Sequence, residues 1–209
     1  AAADGFRLSV REVPLEADFY DTFSLIVPAR TLSELARVSA EEEQTVHLIL
    51  PRDRSQVLFH MTNVDMVSQL IEGNFPDYRQ IIPKREVTKT RTVVDTAQLL
   101  RACKRADIFA RDAANTVRFH IEPQDGMVGT LTVSASAAET GDNQGVLAAT
   151  TEGDPMEIAF NVRYMIEVLS VIQQDRIVLE TSSDSSPGVL RAVGDESFTH
   201  VIMPMHIGR

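Results

Sequence analysis

The sequence predicts an α+β fold built from repeated half-domains of antiparallel strands, each with one helix. Three segments share the order strand, capping residue and amphipathic helix, and they recur at a nearly constant spacing. Between them lie many short runs of apolar and polar residues bounded by turn-forming residues, so strands outnumber helices. Together these observations predict helices packed on one face of antiparallel sheets.

The repeat becomes visible when Pro28, Asp95 and Asn161 are set equivalent, at spacings of 67 and 66 residues. The apolar positions of the helices then coincide in three sets, namely Leu32, Leu99 and Met165; Leu35, Ala102 and Val168; and Ala36, Cys103 and Leu169. This agreement indicates an internal structural repeat, with chance similarity of short amphipathic helices as the alternative.

Each predicted helix needs acceptors for its first backbone N–H groups. Thr31 with Glu34, and Asp95 with Gln98, have the spacing of a capping box. Asn161 can accept from the next turn through its side-chain oxygen. The predicted strands between the helices are 6–13, 45–50, 56–61, 65–71, 116–122, 129–136, 145–151, 176–181, 188–193 and 199–204.

A domain boundary is predicted near residue 85, because prolines and charged residues interrupt the periodic patterns in segment 73–90. Residues 1–85 contain one copy of the repeat and residues 86–209 contain two. The first domain therefore looks partial and the second complete.

Composition excludes several classes of protein. The chain has 209 residues, of which 44% are hydrophobic, and it contains no apolar run long enough to span a membrane. Its first residues lack the order of a signal peptide, so a cytoplasmic protein is expected. The net charge of -10 argues against simple nucleic-acid binding, although an acidic chain can still present one basic face.

Catalytic signatures are missing from the sequence. No nucleophile elbow, phosphate-binding loop or dinucleotide-binding turn occurs, and Cys103 lies on the apolar side of its helix. The histidines have no metal-ligand spacing and are interpreted as strand or surface residues; they are His47, His60, His120, His200 and His206. We therefore expect a protein that is not an enzyme and that carries no metal or cofactor.

Basic residues collect on the polar faces of the predicted helices. Arg101, Lys104 and Arg105 fall at i, i+3 and i+4, away from the apolar stripe. Arg30 and Arg37 take similar places in the first helix, and Arg163 opens the third. These faces suit contact with DNA phosphates, and a surface that merely confers solubility is the alternative.

The last residues form an apolar run in which Met203 and Met205 flank Pro204. Methionine side chains are flexible and suit a groove that accepts several apolar peptides. The alternative is a final core strand, with some of these side chains facing inward.

Four motifs, in order, resemble the bacterial beta sliding clamps, the beta subunits of DNA polymerase III. They are Ala3–Leu8 (ADGFRL), Gly73–Pro83 (GNFPDYRQIIP), Phe160–Leu169 (FNVRYMIEVL) and Val201–Met205 (VIMPM). The resemblance spans the whole chain. It implies a DNA clamp fold, with 1–85 as the later part of the middle domain and 86–209 as the third domain.

The same resemblance implies a function and three sites. Such clamps are processivity factors, head-to-tail homodimers that encircle duplex DNA and tether polymerase, clamp loader and repair proteins. The implied DNA-facing residues are Arg30, Arg37, Arg101, Lys104, Arg105 and Arg163, on helices that face the DNA. The implied pocket for linear peptides consists of Gly5, Phe6, Arg7, Leu8, Pro83, Tyr164, Val201, Ile202, Met203, Pro204 and Met205. The implied subunit interface includes Ile108 and Phe109.

Departures from the family pattern occur at Ala3 and Phe6, where polar residues are usual, and at His206, where arginine is common. Two other functions remain open. An unrelated α+β hydrolase or transferase would need a cluster of perturbed acids or histidines. A clamp-fold protein-interaction module would bind partners without encircling DNA. We also expect that these 209 residues alone bind peptides but do not close a ring.

Overall fold

The computed structural model describes residues 1–15, 23–41, 45–51, 55–124, 128–139 and 141–206. The chain forms two compact units, the larger comprising Ala1–Pro14 with Tyr78–Arg209 and the smaller Leu15–Asp77. The boundary near residue 85, inferred from the prolines and charged residues of segment 73–90, stays a prediction. In the described ranges, no helix is both long and apolar enough to span a bilayer.

The described residues contain helices α1 (Ala29–Val38), α2 (Thr96–Ala110) and α3 (Val162–Val171). The first strands are β1 (Ala2–Ala3), β2 (Arg7–Arg11), β3 (His47–Ile49), β4 (Gln56–His60), β5 (Asp65–Gln69) and β6 (Thr90–Asp95). The later strands are β7 (Thr116–Glu122), β8 (Gly129–Ala137), β9 (Gly141–Gly153), β10 (Met156–Asn161), β11 (Arg176–Thr181), β12 (Gly188–Ala192) and β13 (Asp195–Ile202). Each strand predicted between the helices is confirmed, with shifted ends.

In the larger unit, ten strands form a sheet in the order β1-β2-β13-β12-β11-β6-β9-β8-β7-β10. Its strand pairs are antiparallel. The two repeats β6-α2-β7-β8-β9 and β10-α3-β11-β12-β13 follow one another along the chain. This arrangement confirms the predicted α+β fold with one helix per half-domain.

Helices α2 and α3 begin at the predicted caps. Asp95 accepts a hydrogen bond from the Gln98 N–H at 2.7 Å, and Asn161 accepts one from the Arg163 N–H at 3.0 Å. The side chains satisfy N–H groups that have no intrahelical partner, which is why the helices begin there.

The predicted capping role of Thr31 is wrong. Helix α1 begins after Pro28, which makes no side-chain cap, and the Pro28 carbonyl accepts from the N–H groups of Thr31 and Leu32 at 2.9 and 3.3 Å. The Thr31 hydroxyl instead lies 2.8 Å from the Ser68 hydroxyl, and Glu34 pairs with Arg37. Pro28 is nevertheless equivalent to the other two capping positions, so the repeat register is confirmed.

The core of the larger unit lies between the sheet and the paired helices α2 and α3. The equivalent residues Leu99 and Met165 are fully buried. Cys103 and Leu169, which are also equivalent in the repeat, are at most 1% exposed. The rings of Phe119 and Phe160 pack edge to face with centroids 5.5 Å apart. Such a pair stabilises the core beyond the area that it buries.

Replacement of Gly188 tests the packing of this core. A Cβ atom at Gly188 would lie 2.6 Å from Cζ of Phe160, whereas one at Gly145 would meet nothing closer than 3.7 Å. We expect Gly188→Ala to lower the free energy of unfolding by about 1–3 kcal/mol, the usual cost of overpacking. Urea denaturation measures the change. Gly145→Ala is the matched control, and equal stability of the two variants would contradict this packing.

The smaller unit contains α1 and the antiparallel sheet β3-β4-β5. Val57, Phe59 and Met61 are buried in it, but no residue of α1 is buried and Leu32 is 47% exposed. The sequence periodicity correctly predicted that α1 is an amphipathic helix, but it did not predict whether its apolar side is buried. Burial requires a packing partner, and α2 and α3 are such partners for each other. The short strand predicted just before α1 is wrong, because residues 23–28 are not in a strand. Among the described residues, the Ile26 carbonyl accepts one backbone bond, from the Ile71 N–H at 2.9 Å.

Candidate functional site

Strands β2 and β13 bring the two ends of the chain together. Their antiparallel register places Leu8 opposite Val201 and Arg7 opposite Ile202. Beyond the ladder, the Met203 N–H donates to the Phe6 carbonyl at 2.8 Å. Residues almost two hundred positions apart, which were predicted to share one pocket, are therefore neighbours.

One face of this strand pair carries a separate apolar cluster. Leu8, Val10, Val189 and Val201 are buried in it, and Tyr78 and Ile82 of the connecting segment pack against them. Pro83 follows directly and is half-buried. Beside the cluster, Phe6 is 62% exposed and Met203 is 41% exposed. Exposed apolar side chains next to a fixed apolar floor form a surface suited to an apolar ligand.

The opposite face carries Arg7 and Ile202. Ile202 is fully buried in the main core, so it supports the strand from within. The guanidinium of Arg7 lies 4.2 Å from the ring centre of Tyr164 on α3, a cation–π contact. Arg7 also pairs with Asp4, at 2.8 Å, and with Glu167. Burial alone would lower the pKa of Arg7, but these two carboxylates outweigh burial and raise it.

Asp4 shapes the turn that presents Phe6. Its Oδ1 accepts from the N–H groups of Phe6 and Arg7, both at 3.1 Å, across Gly5, whose φ of 88° favours glycine. Partial burial acts to raise the pKa of Asp4, but the hydrogen bonds from Arg7 and from the Phe6 N–H hold it below its usual value. The turn is thus fixed by an ionised carboxylate.

His200 lies directly opposite Ser9 in the strand pair, two residues beyond the turn. It is 3% exposed, and its Nδ1 lies 2.8 Å from the Ser9 hydroxyl. Burial, together with the nearby charge of Arg7, lowers the pKa of His200 to about 4, so the ring is neutral at pH 7. Nε2 of His200 has no hydrogen-bond partner among the described residues.

The last described residues leave β13 and attach to β10. The Met205 N–H donates to the Ala159 carbonyl at 2.8 Å, and the Thr116 hydroxyl lies 3.6 Å from the Met205 sulfur. Pro204 and Met205 are half-buried. The final apolar run thus begins as a core strand that ends at Ile202. It continues as a segment that is held by backbone hydrogen bonds and that exposes the side chain of Met203.

The basic residues of α2 lie where the helical pattern predicted them. Arg101, Lys104 and Arg105 are exposed, opposite the buried stripe of that helix. Arg163 is exposed at the start of α3. Within the described ranges, none of the four belongs to an ion pair. Since α2 and α3 pack together, the helical side of the larger unit carries four exposed cationic side chains that have no ion-pair partner in the described ranges.

In the smaller unit, Arg30 and Arg37 are both exposed on α1. Arg37 pairs with Glu34 at 2.7 Å, so part of its charge is compensated. Such an exposed pair contributes little to stability.

The end of α2 exposes an apolar residue. Ile108 is 59% exposed, whereas Phe109 is half-buried against the main core.

Part of strand β9 has an open edge. Strand β6 pairs only with Thr150–Gly153 of β9, while β8 pairs with Gly141–Ala149. Across the described strands, the other edge of 141–149 therefore has no ladder partner.

Neither Cys103 nor a set of metal ligands forms a reactive site in the described part of the chain. Cys103 is fully buried, and burial raises the pKa of its thiol to about 12, which disfavours the reactive thiolate. The described histidine, cysteine and acidic residues include no group of three that could hold a metal ion.

Three residues next to the predicted pocket were missed by the sequence reasoning: Asp4, Glu167 and His200. Asp4 had a local signal, because an aspartate before a glycine often closes a turn. Glu167 lies three residues after Tyr164 and so shares its helix face, but its partner Arg7 is distant in sequence. His200 lies in a segment whose alternating pattern predicts a strand, but nothing in the sequence indicates that its Nε2 atom is buried without a hydrogen-bond partner in the described part of the chain.

Solved structures of sliding clamps share this fold. The DNA polymerase sliding clamp from Bacillus subtilis matches with a TM-score of 0.90 and 27% identity, over 99% of this chain and 53% of that chain. The sliding clamp from Pseudomonas aeruginosa, crystallised with a ligand, matches with a TM-score of 0.88 and 26% identity, over 99% and 54%. The class of protein is therefore that of the clamp fold.

Sequence comparison identifies the family. Residues 1–77 match the profile of the DNA polymerase III beta subunit, central domain, and residues 79–206 match that of its C-terminal domain. The beta sliding clamp of Synechococcus elongatus is 32% identical over 208 residues, covering 99% of this chain and 54% of the relative. That of Staphylococcus aureus is 31% identical over 205 residues, covering 98% and 52%. The chain belongs to the DNA polymerase III beta subunit family, and it spans about half the length of these curated relatives.

Proposed function

We propose that the protein is a sliding clamp, the processivity factor of the replicative DNA polymerase, and that it acts by binding partners rather than by catalysis. In this proposal the full-length homodimer encircles duplex DNA in the cytoplasm and tethers polymerase, clamp loader and repair proteins. Residues 1–85 are assigned to the middle clamp domain and 86–209 to the third. The family match supports this proposal.

The observation that carries the tethering function is the meeting of β2, β13 and the connecting segment. It gathers the residues assigned to the peptide pocket, including Phe6 and Met203 as exposed apolar contacts and Leu8 and Val201 as the floor. An extended apolar peptide can bury its side chains on such a surface. The sliding clamp of Pseudomonas aeruginosa was crystallised with a ligand, which is a further reason to propose that this fold binds ligands.

Substitutions of Met203 and Leu8 test the peptide site. A fluorescent peptide from the clamp-binding segment of a polymerase is titrated against the protein and its variants. We expect Met203→Ala to weaken binding by about tenfold, the usual effect of truncating a central apolar contact. Since Met203 is 41% exposed, its removal leaves the melting temperature nearly unchanged. Leu8→Ala removes part of the buried floor and weakens both binding and folding, by about 2–5 kcal/mol for folding.

Val193→Ala is the matched control for Met203→Ala, because Val193 is 42% exposed and lies outside the proposed site. We expect peptide affinity to be unchanged in this control. Binding that survives both Met203→Ala and Leu8→Ala would overturn the assignment of the pocket.

The ring is proposed to close through the exposed end of α2 and the open edge of β9. Ile108 offers exposed apolar area, and Gly141–Ala149 offers unpaired backbone groups that another strand can bond. The helical side is proposed to face the DNA, with contacts through Arg30, Arg37, Arg101, Lys104, Arg105 and Arg163. Phosphate contacts of this kind carry no base information, as sliding requires.

A clamp-fold interaction module that does not encircle DNA is the second candidate. The buried apolar floor and exposed Met203 would serve such a module equally well. The two functions differ in whether the basic face of α2 is needed for loading on DNA.

A further inference from the structure

The pocket assigned above has an uneven charge at its Arg7 side. One guanidinium meets two carboxylates, Asp4 and Glu167, so the formal charge of this group is negative. We propose that Glu167 is a positioning residue that holds Arg7 and makes the site discriminate against peptides with a carboxylate beside it. This inference rests on the proposed peptide-binding function and names a specificity determinant within it.

The contacts of Arg7 explain why it is hard to reach for a carboxylate. Its flat face is covered by Tyr164 at 4.2 Å, Nε donates to Asp4, and Nη1 donates to Glu167. A peptide carboxylate binds arginine best through two adjacent N–H groups, and Nε and Nη1 are already engaged. A neutral peptide carbonyl needs one N–H group and can use Nη2. An acidic peptide side chain must therefore compete with a carboxylate that is already bound.

Of the two carboxylates, Glu167 is the one that can be replaced without disrupting the turn. Asp4 accepts from the Phe6 and Arg7 N–H groups as well as from the Arg7 side chain, so its removal would undo the turn. Within the described ranges, Glu167 pairs only with Arg7, and its side chain is 59% exposed. Replacement of Glu167 by glutamine removes one negative charge and leaves Nη1 only a neutral acceptor, which a peptide carboxylate can displace more easily, while the turn stays in place.

The experiment uses pairs of fluorescent peptides from a polymerase clamp-binding segment, each pair differing only by Asn or Asp at one position, so that every position of the segment is tested as the neighbour of Arg7. The two peptides of each pair are titrated against the full-length protein and against Glu167→Gln. At the position beside Arg7, we expect the Asp peptide to gain about two- to fivefold in affinity relative to the Asn peptide, as expected for one exposed ion pair. Added salt should reduce this gain, because it screens the charge.

Two further variants separate a charge effect from a change in fold. Glu157→Gln is the matched control, because Glu157 is 50% exposed and pairs loosely with Arg118, at 3.8 Å, and not with Arg7. It should leave the ratio of the two affinities unchanged. Glu167→Asp keeps the charge and should stay close to the unsubstituted ratio.

The outcomes distinguish this inference from the function on which it rests. If the unsubstituted protein binds none of the peptides, the proposed peptide-binding function is overturned. If it binds them and Glu167→Gln leaves the affinity ratio of every pair unchanged, the function stands and the role of Glu167 is overturned. A ratio that shifts toward the Asp peptide only in Glu167→Gln supports the inference.

Discussion

Reversal of Arg101, Lys104 and Arg105 to glutamate in the full-length protein should reduce its loading on primed DNA by on the order of a hundredfold. These side chains are exposed on one face of α2 and have no ion-pair partner in the described ranges. Phosphate neutralisation supplies most of the sequence-independent affinity for DNA, and three reversals replace attraction by repulsion. Loader-dependent loading, followed at several salt concentrations, measures the effect.

The matched control reverses Lys89, Arg118 and Arg176, which are exposed and lie outside the helices. It makes the same change in net charge, so a general effect of acidity would appear in both proteins. We expect the control to load nearly normally. Normal loading of the α2 variant would favour the interaction module that does not encircle DNA.

Acid should destabilise the larger unit through His200. The pKa of this residue is lowered from 6.5 to about 4 in the folded protein, mainly by burial. As the pH falls, His200 is therefore protonated in the unfolded chain at a higher pH than in the folded protein. The free energy of unfolding consequently decreases as the pH falls from about 6.5 to about 4. The full loss is on the order of 3 kcal/mol, since one unit of pKa corresponds to about 1.4 kcal/mol.

Urea denaturation at several pH values, compared with His200→Gln, measures this effect. Glutamine can keep a hydrogen bond to Ser9 but does not titrate, so its stability should change less between pH 6.5 and 4. Asp4 and Asp195 do not obscure this window. The pKa of each is held below its ordinary 3.8 by hydrogen bonds, so their stabilisation is lost only in more acidic solution. Identical pH profiles of the two proteins would contradict the neutral, buried state of His200.

Much of the larger unit was predictable because its signals are local. Asp95 and Asn161 lie directly before apolar helical stripes, and the strands alternate between turn residues. The start and the exposure of the first helix could not be predicted from local signals. Its start depends on the carbonyl of Pro28 instead of a side chain, and its burial depends on a packing partner that periodicity does not reveal.

The candidate site was predictable in its apolar part and less so in its polar part. Leu8, Val201 and Met203 belong to motifs that resemble the family, and pairing of β2 with β13 brings them together. The contact between Arg7 and Glu167 joins residues 160 positions apart, and no local pattern indicates it. The lowered pKa of His200 results from tertiary burial and is likewise invisible in the sequence.

The most direct test of a sliding clamp is its retention on DNA of different topology. The full-length protein is loaded on a nicked circular plasmid, the plasmid is cut at one site, and the bound protein is followed in time. Because a ring is held by topology and by loose phosphate contacts, it should remain on the circle and leave rapidly once ends are available. Equal dissociation from circular and linear DNA would contradict the proposed function.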